Sequence, residues 1–283
     1  MKSNDRAWLV KGQEFHFGGP MLMGILNVTP DSFSDGGNFF SHDRAIAHGY
    51  RLIQEGAEII DIGGESTRPG SSPITAETEL SRILPIINAL AAGSKALISV
   101  DTQKAVVAEA ALANGAHIIN DVSAGRNDTN MLKLISDTQA GYVMMHMQGT
   151  PATMQEDPRY TDIVEEIDQF FTERLKVALS TGLQSKQIVF DPGIGFGKTL
   201  KNNLSILKNM QHFHKHGRPL LLGASRKSFI GMLDNSEPDQ RLGGSLAAAL
   251  AAYQENVEIY RVHDVAETKQ MLELFTAIQK HSD

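Results

Sequence analysis

The chain has 283 residues, with 26 Lys and Arg against 33 Asp and Glu, a formal net charge of −7. Apolar residues make up 41% and cysteine is absent, which excludes disulfide scaffolds, Cys-based zinc sites and thiol catalysis; the mild acidity argues against a general nucleic-acid binder. The N-terminal MKSNDRAWLVKGQEF lacks the apolar stretch of a secretory signal, and no run approaches the ~18 residues of a membrane span, so a cytoplasmic protein is expected.

Residues 1–20 contain WLVKGQEFHF, which predicts a hairpin around Lys11-Gly12 that caps the domain following it. From residue 21 onward one unit repeats. A strand over 21–29 is followed by a long Gly- and Ser-rich loop (28–42) and a helix over 43–55. A strand over 58–64 is followed by a second such loop (63–73) and a helix over 76–91. Then come strand 96–102 and helix 103–114, strand 117–123 and a shorter helix in 129–138, and strand 141–147 and helix 162–181. Strand 187–193 with helix 200–212, strand 219–225 with helix 245–255, and strand 257–264 with helix 264–279 complete the chain. The strands are rich in Ile, Val and Leu without apolar/polar alternation, the pattern of a parallel sheet buried on both faces. Eight such units predict a closed (β/α)8 TIM barrel over 21–283, with a doubly wound open sheet as the alternative.

The strands end in Asn27, Asp61, Asp101, Asn120, His146, Asp191, Ser225 and the pair Arg261/His263. In a barrel these ends meet on one face, where active sites sit. A single such residue reads as a cap; eight together read as a site, because buried charges are costly without partners. The two long loops carry Asp35 and Arg68 and are expected to act as lids. DPGIGFGKT (191–199) ends like a phosphate loop, but Pro192 stands where that motif needs Gly. Its glycines are expected instead to let a flat ligand ring approach the backbone near Phe196. SRKSFIG (225–231) sets Arg226, Lys227 and Ser228 beside Arg261 and His263, where this fold binds phosphate. His212, His214 and His216 read as a solvated turn, Met144, Met145 and Met147 as core filling, and LAAALAAY (246–253) as a close-packed helix suited to a subunit contact.

MGILNVTPDSFSDGG (23–37), IIDIGGESTRPG (59–70), ISVDT (98–102), HIINDVS (117–123), MHMQGTPATMQ (145–155), DPGIGFGKT (191–199), SRKS (225–228) and RVHDV (261–265) closely resemble the dihydropteroate synthase family. The resemblance implies a transferase that joins 6-hydroxymethyl-7,8-dihydropterin pyrophosphate to p-aminobenzoate, releasing pyrophosphate with the help of Mg2+. It places Asn27 at the metal-linked position and Asp101, Asn120, Asp191 and Lys227 in the pterin pocket. The anion positions fall on Asn27, Arg68, Arg261 and His263, and the p-aminobenzoate positions on Thr67, Pro69, Phe196 and Ser228. Chemical roles fall on Asp101, Lys227, Asp35 and Arg68. A buried Asp191–Lys227 pair is expected to keep Asp191 ionised. The arylamine is a weak nucleophile, so a dissociative path through a pterin carbocation is expected. The resemblance further implies a homodimer through the late helices and a sulfonamide target. Two rivals are a barrel transferring a methyl group from methyltetrahydrofolate to a corrinoid, which has no need of STRPG and SRKS, and a non-catalytic pterin-binding paralogue, which would have lost loop or anion residues.

Overall fold

The computed structural model describes residues 6–29, 38–67 and 70–281. A hairpin, β1 (Ala7–Val10) and β2 (Gln13–His16), precedes eight parallel strands: β3 (Met21–Asn27), β4 (Ile59–Gly63), β5 (Leu97–Asp101), β6 (Ile118–Asp121), β7 (Gly141–Met145), β8 (Ile188–Asp191), β9 (Leu221–Leu222) and β10 (Ile259–Val262). Between and after them lie α1 (Asn38–Glu55), α2 (Ala76–Gly93), α3 (Ala105–Ala113), α4 (Met131–Thr138), α5 (Ile163–Ser180), α6 (Leu200–Lys208), α7 (Ser228–Asp234), α8 (Leu242–Gln254) and α9 (Val265–Lys280). No helix among the described residues is long and apolar enough to cross a membrane.

The strands run in the order β8-β7-β6-β5-β4-β3-β10-β9. A parallel bridge between Phe190 and Leu220 joins the two edges, and the Phe190 amide donates to the Pro219 carbonyl at 3.0 Å. The sheet is therefore a closed barrel, and the open-sheet alternative falls. Helix starts follow local chemistry: Thr75, Asp162 and Thr199 each accept amide hydrogens of the first turn from their side chains.

Several boundaries differ from expectation. Helix α1 starts at Asn38, inside the expected loop 28–42, and α8 starts at Leu242 rather than 245. The seventh strand shrinks to Leu221–Leu222; Pro219 has no N–H to offer the ladder. Helix α7 then opens at Ser228, a short helix inside the SRKSFIG segment where none was expected. The helix expected over 200–212 stops at Lys208 and continues as a 3₁₀ segment, Met210–His216, ended by Gly217 at φ 66°.

Strand periodicity divides the barrel lumen into layers. The lowest holds Met23, Ile59, Ile118, Val143, Val189, Leu221 and Ile259, packed with Trp8, Val10 and Phe17. The hairpin thus seals the N-terminal mouth. Its turn residues Lys11 and Gly12 sit at φ 50° and 78°, the two positive values a tight two-residue turn needs. Trp8 is fully buried, and its indole N–H donates to the Gln187 carbonyl at 2.8 Å. Two residues further along the strands the lumen turns polar: Asp61, Ser99, Asn120, Asp191 and Arg261.

Trp8→Ala removes this seal and orphans an acceptor. It should destabilise the chain by about 3–5 kcal/mol, read as a lower urea midpoint at unchanged slope.

Candidate functional site

The polar layer is built around one guanidinium. Arg261 donates from Nε to Asp61 Oδ2 at 2.6 Å and from Nη2 to Asp101 Oδ2 at 3.0 Å. Asp61 is fully buried and also accepts from Ser99 Oγ (2.6 Å) and Asn120 Nδ2 (3.0 Å). Strand register dictates these meetings: Asp61 lies level with Ser99, and Asp101 level with Asn120. Asp101 is less well served, because its buried Oδ1 has no partner among the described residues. Burial pushes its carboxyl up to about 7, against the pull of Arg261, with Asp61 adding repulsion. Arg261 is itself held above its ordinary value: burial works against its charge, but Asp61 and Asp101 outweigh it.

Asp191 ends β8 across the lumen, and its Oδ1 accepts the Gly193 amide at 2.7 Å. Burial raises its carboxyl above the usual range, opposed by Lys227. Lys227 is driven down to about 8 by burial, opposed by Asp191. The expected Asp191–Lys227 ion pair does not form: no salt bridge joins them among the described residues. Lys227 Nζ donates instead to the Ile194 carbonyl and stands 4.4 Å from the centre of the Phe196 ring. Burial therefore outweighs the charge partner at both groups. His263, on the final strand end, donates its amide to Ser225 Oγ at 3.2 Å, and its Nδ1 lies 3.0 Å from the same oxygen. Asn27 ends β3 beside Gly63. Asn27 and Asp101 flank Gly63 in register on β3 and β5, and a Cβ on Gly63 would come within ordinary contact of Asn27 Oδ1 (3.5 Å) and Asp101 Cβ (3.7 Å).

Asn27, Asp101, Asn120, Asp191, Lys227, Arg261 and His263 are thus brought to one face of the barrel. Phe196 joins them through Lys227, and the exposed Ser228 follows as the first residue of α7. Half-buried Thr67 lies in the loop after β4. Asp35, Arg68 and Pro69 lie outside the described residues, as do the central part (30–37) of the first expected lid and residues 68–69 of the second.

Several readings are corrected. Two of the three glycines of 191–199 serve the loop's own packing, while Gly195 at φ +82° faces the Lys227 side chain. Gly193 sits at φ +71°, where a Cβ would fall 2.0 Å from the His146 carbonyl oxygen, and Gly197 at φ +62° abuts Gln148. Arg226 faces away from the anion positions: at φ 57° it forks onto Asp264, Nε donating to Oδ2 at 3.0 Å and Nη2 to Oδ1. The histidine triplet is no solvated turn. His214 pairs with buried Glu258 at 3.2 Å and His216 with Asp168 at 2.7 Å. Glu165, Asp168 and His212 do converge, but Lys215 Nζ already supplies positive charge there, 2.8 Å from Asp168 and 3.2 Å from His212. The methionines are core filling, as expected: Met144 belongs to the outer core, and Met145 and Met147 to a separate buried apolar wall with Val122, Met154 and half-buried Phe196.

Sequence reasoning left out the roles of Asp61 and Ser99. The signal was present: a carboxylate in IIDIGG and a hydroxyl in LISVD, two residues above the apolar floor on adjacent strands.

A barrel with an apolar floor, a layer of hydrogen-bonding charges and a flat apolar wall above it suits a small polar heterocycle. Residues 23–263 match the family described as pterin binding enzyme. The dihydropteroate synthase of Escherichia coli (strain K12) is 44% identical over 267 residues, 94% of each chain. The crystal structure of Yersinia pestis dihydropteroate synthase with a sulfonamide drug superposes with a TM-score of 0.91 at 40% identity, over 97% of this chain and 100% of that one. The Xanthomonas albilineans enzyme with 4-aminobenzoic acid gives 0.90 at 43% identity, over 96% and 97%. The chain belongs to the dihydropteroate synthase family, whose members are transferases.

The raised Asp101 carboxyl carries a linkage consequence. The folded chain binds this proton more tightly than the unfolded chain, so its stabilising contribution is lost as pH rises towards 7. Asp101→Asn has no such proton. Between pH 5 and 8, Asp101→Asn should therefore gain stability relative to the parent by roughly 1–3 kcal/mol, a tenfold change in proton affinity being about 1.4 kcal/mol. Parallel urea titrations at the two pH values read it; a pH-independent difference contradicts the buried, half-satisfied carboxyl.

Proposed function

We propose that this chain condenses 6-hydroxymethyl-7,8-dihydropterin pyrophosphate with p-aminobenzoate, giving 7,8-dihydropteroate and pyrophosphate, with the pterin bound in the polar layer of the lumen. The observation that carries this reading is that Asp101, Asn120, Asp191 and Lys227 gather at the C-terminal end of the barrel strands, next to the apolar cluster of Met145, Met147 and Phe196. A pterin edge offers adjacent N–H donors and a carbonyl. Asp191 accepts two N–H bonds, Lys227 donates, and Asn120 does both. The ring faces meet the methionines and Phe196.

The pyrophosphate lies towards Asn27, Arg261 and His263, and the family resemblance assigns Arg68 to it as well. Its departure puts negative charge on oxygen, and preorganised cations stabilise that charge most where water is excluded. The p-aminobenzoate lies against Thr67, Pro69, Phe196 and Ser228. Because the arylamine is weak, the C–O bond breaks first and leaves a carbocation conjugated with the dihydropterin. Asp101, in its ionised form, stabilises that cation, and Asp35 acts from the first loop. Arg261 has a double use: it neutralises Asp61 and Asp101 in the free barrel and turns to the anion when substrate enters.

The residues suit Mg2+. Asn27 and Asp101 supply hard oxygen donors in register on either side of Gly63, and the buried Asp101 Oδ1, without a partner among the described residues, is a ready acceptor. Mg2+ favours one or two protein oxygens plus substrate phosphates. When bound, the ion would neutralise charge on the leaving pyrophosphate. The reading also includes a cytoplasmic homodimer; an apolar groove of about 490 Å³ lined by Leu204, Leu207, Phe229, Ile230, Leu233 and Ala248 supports the self-association.

Two measurements test it. Asp191→Ala should weaken pterin-pyrophosphate binding by roughly 2–4 kcal/mol in titration calorimetry, since hydrogen bonds to charged groups contribute about 1.5–3 kcal/mol each; unchanged affinity in a folded variant removes Asp191 from the site. Chelation of divalent cations should abolish pyrophosphate release and Mg2+ should restore it, with Asn27→Ala needing more Mg2+. Full turnover in excess chelator contradicts the metal.

A further inference from the structure

One buried cation has no part in the reading above. Lys198 is only 2% exposed, yet it lies in a Gly-rich loop next to the mouth. Burial drives its ammonium well below the usual lysine range, opposed by Asp191, and burial likewise drives His146 well below the ordinary imidazole range. A charge is kept in such a place only if its hydrogen bonds matter. Lys198 Nζ meets three acceptors: the Phe196 carbonyl (2.9 Å), the His146 carbonyl (3.2 Å) and His146 Nδ1 (3.0 Å). An ammonium has three N–H donors, so the match is complete. His146 sits one residue beyond β7, out of step with the lumen-facing Met145 and Met147.

Everything else about the loop fixes the same segment. The Gly193 backbone lies against the His146 carbonyl and Gly197 against Gln148. Tyr160 OH donates to the Gly197 carbonyl at 2.8 Å, and Gln155 Nε2 to the Gly195 carbonyl at 2.6 Å. The side chain this segment presents to the mouth is Phe196, half-buried, against the methionine wall and under Lys227. We propose that Lys198 is a positioning residue: it ties the Phe196 backbone to the end of β7 and thereby sets the aromatic face against which p-aminobenzoate binds. The proposal rests on the assignment of Phe196 to p-aminobenzoate made above. It adds that a residue touching neither substrate controls the affinity for one of them.

The test is a cycle of Lys198→Met and Phe196→Ala, singly and together, in steady-state turnover, with pterin-pyrophosphate affinity measured separately by calorimetry. Lys198→Met should raise KM for p-aminobenzoate roughly tenfold, the scale of one lost hydrogen bond, with pterin affinity and kcat nearly unchanged. Lys198→Gln keeps two donors and should recover part of the loss. In the Phe196→Ala background, Lys198→Met should add little. An additive effect on KM, or equal losses in kcat and pterin affinity, overturns the proposal. If Phe196→Ala itself leaves KM unchanged, the assignment of p-aminobenzoate fails; if Phe196→Ala raises KM and Lys198→Met does not, the positioning role fails. Should Lys198→Met not fold, Lys198→Gln carries the same comparison; loss of the fold in both variants also overturns the proposal, because Lys198 would then serve the barrel as a whole.

Discussion

Arg261 stands between two buried carboxylates, and the interior of the barrel is arranged to permit it. Removing three charges from water costs several kcal/mol per ion unless each finds partners. Arg261 meets Asp61 and Asp101; Asp61 is completed by Ser99 and Asn120. These groups come from β4, β5, β6 and β10, so the network forms only when the last strand has paired with β3 beside the early strands. Among the described residues Asp101 keeps one buried oxygen unpartnered, and burial holds its carboxyl near neutrality.

The apolar floor below makes this arrangement tenable. Trp8, Val10 and Phe17 close the N-terminal end over the lowest layer of strand residues, so water reaches the polar layer from the functional face alone. A low-dielectric floor strengthens each charge interaction above it. Outside the strands, the helices cover the other side chain of each strand pair, which is why the strands read as continuous apolar runs. Fold and site are thus two consequences of one period-two pattern: inward residues change from apolar to charged as the strand runs towards its C-terminal end.

Much of this was legible in the sequence. Eight apolar runs, each ended by Asn, Asp, His, Ser or Arg, carried both the barrel and the location of its site. What escaped has specific causes. Asp61 reads as one of the strand-end groups, but its partners Ser99, Asn120 and Arg261 are set by register across several strands. Local sequence cannot supply that register. Lys227 was expected to pair with Asp191, but the competition between burial and attraction is decided by side-chain placement, and the Ile194 carbonyl takes the ammonium. The basic stretch at 225–228 looked uniform; the left-handed backbone at Arg226 sends its side chain to Asp264. His214 and His216 looked idle because Glu258 and Asp168, their partners, lie 44 and 48 residues away in sequence.

The most direct test of this account asks whether the Arg261 network is one unit. Asp61→Asn and Arg261→Met, made singly and together, form a double-mutant cycle in urea unfolding. Arg261→Met leaves two buried carboxylates without their cation and should cost about 3–5 kcal/mol. The account predicts that Asp61→Asn relieves part of that cost, so that the double variant is more stable than the sum of the singles by at least about 1 kcal/mol. Strictly additive losses would mean that the two groups fold independently, and would contradict a site built on their pairing.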